Sequence, residues 1–424
     1  MESQLFHHIG RGRSYALIAV ALVVLFTSAP MAHAQIFDSG SNGSDGALNL
    51  TTPGTIEFDP KSFNPPLDTD GDNIYHFTTI NIAAGVTVRL TARKINGPVF
   101  WLASGAVQVD GTINLDGEPG YTVSTNFVRA PSVPGAGGYP GGVGSLGDVP
   151  AQPGAGPGGG LGSLPNSRNG GGAGHATPGQ DRRGREGAAY GNSFLVPLIG
   201  GSGGGGGSGQ SSFAGNGGGP GGGAILVASS VSISITGTIT AKGGDIGGSG
   251  DGGTGSSGAI RLVAPIITGT GKLEAPQQNF DSTCGGCGGA AGRIRLEAFQ
   301  QNFTGTNNPL AAKASPFALF LPTSQPSVRA VSVDGVPVPS TPTGSFTVPD
   351  VGINKSSPVV VNIAAKNVPP GTVVKLLIFS ENGPDQTIDS TALVGTLASS
   401  TATASVVFPS GFSRGFVQAK WANQ

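Results

Sequence analysis

Cys284 and Cys287 are the only cysteines, and they stand as C-x-x-C in DSTCGGCGGAAGRIRLEA. Three chemistries use that spacing. Thioredoxin-type redox chemistry places the pair at a helix N-terminus, which lowers the attacking thiol's pKa. Here GGAAG and an alternating strand pattern follow instead. A structural zinc site takes four ligands, and downstream of residue 34 the only imidazoles are His76 and His175, remote in sequence. The third chemistry is a disulfide, which suits an oxidising compartment. The spacing therefore predicts a Cys284–Cys287 staple across a glycine loop, worth about 2 kcal/mol for so short a closure.

The stretch Asp68-Thr69-Asp70-Gly71-Asp72-Asn73 offers alternating carboxylates. Asp68, Asp70 and Asp72 could converge oxygens on calcium, a hard cation. The EF-hand pattern would have Gly at the sixth position and Glu at the twelfth, where this chain has Asn73 and Thr79. The competing reading is a solvated turn. Hydrolytic triads need an imidazole base in a defined setting, and neither His76 nor His175 lies beside a nucleophile elbow. Paired carboxylates for glycoside cleavage could come from Asp110, Asp116, Asp245, Asp251 or Glu274. In DRRGRE, Arg182, Arg183 and Arg185 could meet an anionic glycan, with a solvated loop as the alternative. Trp101, Tyr121, Tyr139 and Tyr190 are the candidate platforms for sugar stacking. No catalytic residue is assigned, and calcium is the one cofactor suggested.

The elements that must hold these residues are strands. Of 424 residues 75 are glycine and only 11% are charged, with a formal net charge of −1. That balance gives no basic field for nucleic acid. Helices lose about 1 kcal/mol per internal glycine, and no long 3.6-residue stripe appears after the N-terminal segment. That segment joins basic Arg11 and Arg13 to an apolar run, Ala16–Phe26, and an A-x-A site at residues 32–34. It reads as a signal peptide, residues 1–34, cleaved between Ala34 and Gln35. The expected location is secreted, cell-surface or periplasmic, with no integral membrane segment after cleavage.

The strand patterns repeat. GGAILVASS, SGAIRLVAP and AGRIRLEAF align Ile225, Ile260 and Ile294, spaced 35 and 34 residues apart. Gly237, Gly271 and Gly305 follow at intervals of 34, and FWLASGAVQVDGTINLDG has the same form around Gly111. Period-two, β-branched segments exclude helical-hairpin repeats of that length. The fold class read from this is all-β: a parallel β-helix, or β-solenoid, over 74–310, after a polar lead-in at 35–73. A glycine-rich insertion, 118–223, interrupts two neighbouring coils, and residues 135–223 hold 36 glycines. Its G-x-G-x-x-G matches lack the strand–helix setting that nucleotide binding needs. A linker at 311–325 leads to 326–424, where seven short alternating segments predict an immunoglobulin-like β-sandwich.

The repeats GAILVASS, GAIRLVAP and GRIRLEA, with their glycine corners, resemble exported bacterial glycine-rich β-helix proteins of the pectin-lyase-like and autotransporter-passenger type. The resemblance covers roughly 74–309 and implies an architecture, not an activity, because such folds host adhesins and polysaccharide lyases alike. The expected function is structural or adhesive, with polysaccharide or cell-surface protein as partner. A polysaccharide lyase or hydrolase, or a non-catalytic carbohydrate-binding protein, is the alternative.

Overall fold

The computed structural model describes residues 36–69, 71–121, 131–145, 150–165, 167, 169–181, 183–209, 215–247, 251–278, 287–321, 326–339, 342, 349–380, 384 and 386–421. Apart from a 3-10 turn at Pro60–Ser62, the regular structure there is all β. In chain order the first sixteen strands are β1 (Leu48–Leu50), β2 (Gly54–Glu57), β3 (Ile74–Phe77), β4 (Ile80–Ile82), β5 (Val86–Arg89), β6 (Val99–Ala103), β7 (Val107–Val109), β8 (Thr112–Asn114), β9 (Ala224–Ser229), β10 (Ser232–Ile235), β11 (Thr238–Thr240), β12 (Ala259–Gly269), β13 (Lys272–Glu274), β14 (Arg293–Phe303), β15 (Thr306–Asn308) and β16 (Ala312–Ala314).

Every pairing among these strands is parallel and joins one repeat to the next. Three ladders result. The first runs β3–β6–β9–β12–β14–β16, the second β1–β4–β7–β10–β12–β14, and the third β2–β5–β8–β11–β13–β15. The long strands β12 and β14 pass through two ladders, their first halves in the first and their second halves in the second. The aligned isoleucines pair directly: Ile225 with Ile260, and Ile260 with Ile294. The ladders begin earlier than the alternation suggested. β1 and β2 lie within the polar lead-in, too short for a repeat signal, and pair with β4 and β5.

Alternation sets what each strand buries. In β5, β7, β8 and β10 buried Val or Ile alternates with half-buried polar side chains. The inward residues share one core with Tyr75, Trp101 and Phe58. In β6 and β9 every residue is buried. A strand covered on both faces loses the polar half of its pattern, and Phe37, Leu195 and Leu198 cover the outer face here. The described part of the expected linker, residues 311–321, takes part as well. β16 pairs with β14, and Leu319 and Leu321 pack on the outer cluster.

The recurring glycine has a direct cause. A Cβ on Gly237 would stand 1.9 Å from the Gly111 carbonyl oxygen, and one on Gly271 would stand 2.2 Å from the Gly237 oxygen. Each corner glycine therefore sits against the corner of the preceding repeat, and any side chain would push the repeats apart.

The glycine-rich insertion does fall between neighbouring repeats, since β6, β7 and β8 pair with β9, β10 and β11 across it. Its described residues are ordered by backbone hydrogen bonds with a period of three. Gly201, Gly204 and Gly207 donate to Gly222, Gly219 and Asn216, while Gly203 and Gly206 donate to Ala155 and Gln152 and Gly205 donates to Gly171. A three-residue turn is the polyproline II repeat. Here successive N–H groups bond to different neighbouring segments. A Cβ on Gly221 would lie 1.8 Å from the Gly201 oxygen, so the chains pack closer than any other residue permits.

The C-terminal strands are β17 (Ser327–Val333), β18 (Val336–Pro337), β19 (Val359–Lys366), β20 (Val373–Ser380), β21 (Gln386–Ala392), β22 (Val394–Gly395), β23 (Ser400–Val406) and β24 (Ser413–Ala419). They form two antiparallel sheets, β18–β17–β19–β23–β22 and β21–β20–β24. Val361, Ile363, Leu376, Ile378 and Ala404 join both sheets in one core. One of the seven expected segments, GSFTVPD at 344–350, lies mostly outside the described residues.

Candidate functional site

Parallel pairing in register stacks like positions into columns. On the third ladder one column reads Thr55, Thr87, Thr112, Thr238, Lys272 and Thr306. Neighbouring strands lie about 4.8 Å apart, so five hydroxyls and one amine repeat at that interval. On the second ladder Asn49, Asn81, Gln108, Ser234, Thr268 and Asn302 form another column. Its amides bond along the column: Asn81 Nδ2 donates to Asn49 Oδ1 at 2.7 Å. These side chains are half-buried or exposed. The two columns are thus rows of mostly uncharged polar groups, with Lys272 their one ionic member, while two residues along the third ladder a parallel column reads Glu57, Arg89, Asn114, Thr240, Glu274 and Asn308.

Ionisable groups gather on and beside the third ladder. Arg93 pairs with Glu118 through Nη2–Oε2 at 2.7 Å, and Lys94 Nζ lies 2.7 Å from Asp59. The Lys94 bond holds the Asp59 carboxyl below its usual range. Asp116 accepts from Thr240 Oγ1 at 2.7 Å and from the Lys242 backbone N–H at 2.6 Å. Burial nonetheless raises its pKa, and repulsion from Glu274 adds to the rise. Lys242 Nζ meets Glu274 Oε2 at 2.6 Å. Among the glycosidase candidates, Asp116 and Glu274 are therefore neighbours. Asp110 accepts from Gln108 and Thr236, and Asp245 caps the N–H of Ile246.

The other expected site residues mostly serve the backbone. Asp68 Oδ1 accepts from the N–H groups of Asp72 and Asn73 at 3.0 and 3.1 Å, and Asp72 Oδ1 accepts from Ile74 at 2.9 Å. Asp70 lies outside the described residues, as does Cys284. Cys287 is buried, and its carbonyl oxygen accepts from the Thr254 N–H at 3.0 Å. Arg185 turns inward to Asn169 O and Ser167 Oγ, both at 2.9 Å. Arg182 is not among the described residues. Trp101 is wholly buried, which makes it a core residue and not a sugar platform.

His175 is buried, and its ring stacks on Tyr190 at 4.6 Å. Its Nδ1 lies 2.6 Å from Ser257 O. Burial, with a smaller effect from Arg293, pushes its pKa down to about 4, so the ring is neutral.

No family model, curated protein or solved structure matches this chain. The geometry alone supports a functional reading.

Sequence reading missed a buried ion cluster. Arg261 Nε donates to Glu297 Oε1 at 2.9 Å, and Arg295 Nε donates to the same oxygen at 2.6 Å. All three side chains are almost fully buried. The Arg261 guanidinium lies 4.8 Å from the Phe317 ring, and that of Arg295 lies 5.1 Å from Phe194. The available signal was an arginine set between isoleucine and leucine in both AIRLV and RIRLE.

Proposed function

We propose that the three ladders are the faces of one β-solenoid, and that the protein is an exported adhesive protein whose third face binds polysaccharide. The reading as a solenoid rests on parallel register kept through all three ladders at one repeat per step. The likeness to glycine-rich β-helix proteins belongs to the same proposal, as do the immunoglobulin-like character of the C-terminal sheets and the Cys284–Cys287 disulfide.

One observation carries the functional reading: the in-register column from Thr55 to Thr306. A row of hydroxyls at constant spacing offers equivalent hydrogen bonds to a linear polymer with a repeat of similar length. The column has one charge, and the neighbouring Glu57, Arg89 and Glu274 are held in ion pairs, which favours a neutral or weakly acidic glycan as the ligand. A second reading, glycan cleavage, draws on Asp116 and Glu274, neighbouring carboxylates of which Asp116 has a raised pKa. Retaining and inverting hydrolysis both use such a pair.

A panel of neutral and acidic polysaccharides, with and without calcium, separates these readings. The full chain is assayed for retention and for new reducing or unsaturated ends. Retention without new ends supports the adhesive reading, and new ends establish the enzymatic one. Calcium-dependent retention would return attention to Asp68, Asp70 and Asp72.

A further inference from the structure

Three of the inward columns end differently from the way they run, one on each ladder. On the second ladder the column Ile80, Val107, Ile233, Ile267 closes with Gln301. On the third, Val88, Ile113, Ile239 and Leu273 are followed by Asn307. On the first, Trp101, Val227, Leu262 and Leu296 are followed by Lys313. Every residue before the change is a buried hydrophobe, and in each column a polar side chain takes the last place.

The free strand edges lie at the same end. Among the described residues β15 pairs only with β13, and β14 beyond Glu297 pairs only with β12. Such edges present backbone groups to any passing strand. Gln301 Nε2 closes part of the end by donating to Ala314 O at 2.8 Å. The amide oxygens of Gln301 and Asn307 are buried without a hydrogen-bond partner. Phe303 and Ala311 remain as the last buried apolar residues of this core.

The opposite end is closed by apolar packing. Phe58 stands 5.5 Å from Tyr75, 5.3 Å from Trp101 and 5.4 Å from Phe63, with Leu67 buried in the same cluster. The chain folds its own aromatic plug over that end.

We propose that Gln301 and Asn307 are a stop signal: they end the stack and keep the β14–β15 edge from accepting a parallel strand of a second copy of this chain. A strand added to β15 would set its inward side chain over Asn307 and bury the amide further. Burying a polar group without a partner is unfavourable, whereas a leucine or isoleucine at that place would gain from burial. The inference rests on the observed pairing and is independent of what the outer faces bind.

The test is the double variant Gln301→Ile/Asn307→Leu in the full chain, with Gln301→Leu as a milder second variant. Mass is read by light scattering across a concentration series, and folding by far-UV circular dichroism. The expected result is a β spectrum like that of the unsubstituted protein, with mass rising to at least a doubling as concentration increases. An unchanged mass over the same series overturns the proposal. Loss of the β spectrum in both variants also overturns it, because the amides would then be required for folding and not for stopping the stack.

Discussion

At the residue scale, Glu297 is the most consequential side chain outside the inner core. It neutralises one of two guanidiniums that share its carboxylate in a nearly water-free layer. Removing one partner of a buried ion pair costs about 3–5 kcal/mol, because the charge left behind stays desolvated. Glu297→Ala is expected to lower the unfolding free energy by about 3–5 kcal/mol, seen as a lower denaturation midpoint, and an unchanged midpoint would remove the cluster from the account. Alternation placed Arg261 and Arg295 outward between inward Ile and Leu. Their burial depends on the later segment around Phe317 and the distant Phe194, which no local pattern reports.

His175 gives a second residue-scale prediction. Its pKa falls from 6.5 in the unfolded chain to about 4 in the folded one. Between those values the unfolded state binds the proton, so its contribution is complete above pH 6.5 and is lost as pH falls to about 4. The full effect is roughly 3 kcal/mol. Asp116, with its raised pKa, acts with the opposite sign at acid pH. Comparing denaturation midpoints at pH 7.5 and pH 5 should show a smaller loss in His175→Gln than in the unsubstituted protein. Equal losses would contradict the assignment. A thiol count on the native protein should find no free sulfhydryl if Cys284 and Cys287 are paired, and two would refute the staple.

At the element scale, the corner glycines are the clearest case of sequence spacing becoming a contact. The 34-residue interval was legible, and its cause is a carbonyl of the preceding repeat 2.2 Å from where a Cβ of residue 271 would sit. Gly271→Ala is expected to cost about 1–3 kcal/mol through overpacking. Gly352→Ala is the control, since nothing lies within 4 Å of its Cβ position. Equal effects on thermal unfolding would show that the corner tolerates a side chain. The three-residue hydrogen-bond pattern among the described residues of the glycine-rich stretch was not legible in the sequence. Strands reveal themselves through alternating side chains, whereas a three-residue backbone pattern of glycines has none to alternate. The short β1 and β2 were missed for a related reason: LNL and GTIE are too brief to display a period.

At the scale of the whole molecule, parallel all-β architecture followed from repeat spacing together with period-two patterning. The sequence could name hydroxyl-bearing residues, but it could not show that Thr112 and Thr238, 126 residues apart, are neighbours. That column is the basis of the proposed binding face, and the ionisable groups beside it are engaged in pairs and caps. The most direct test compares retention of the full chain and of Thr112→Arg/Thr238→Arg on the polysaccharide panel, with folding checked by circular dichroism. The account predicts that the unsubstituted protein is retained on at least one glycan without cutting it. It also predicts that the folded double variant loses about 10-fold or more in affinity, the equivalent of 1.4 kcal/mol. Equal retention of the two proteins, or no retention of either, would contradict the third face as a polysaccharide-binding surface.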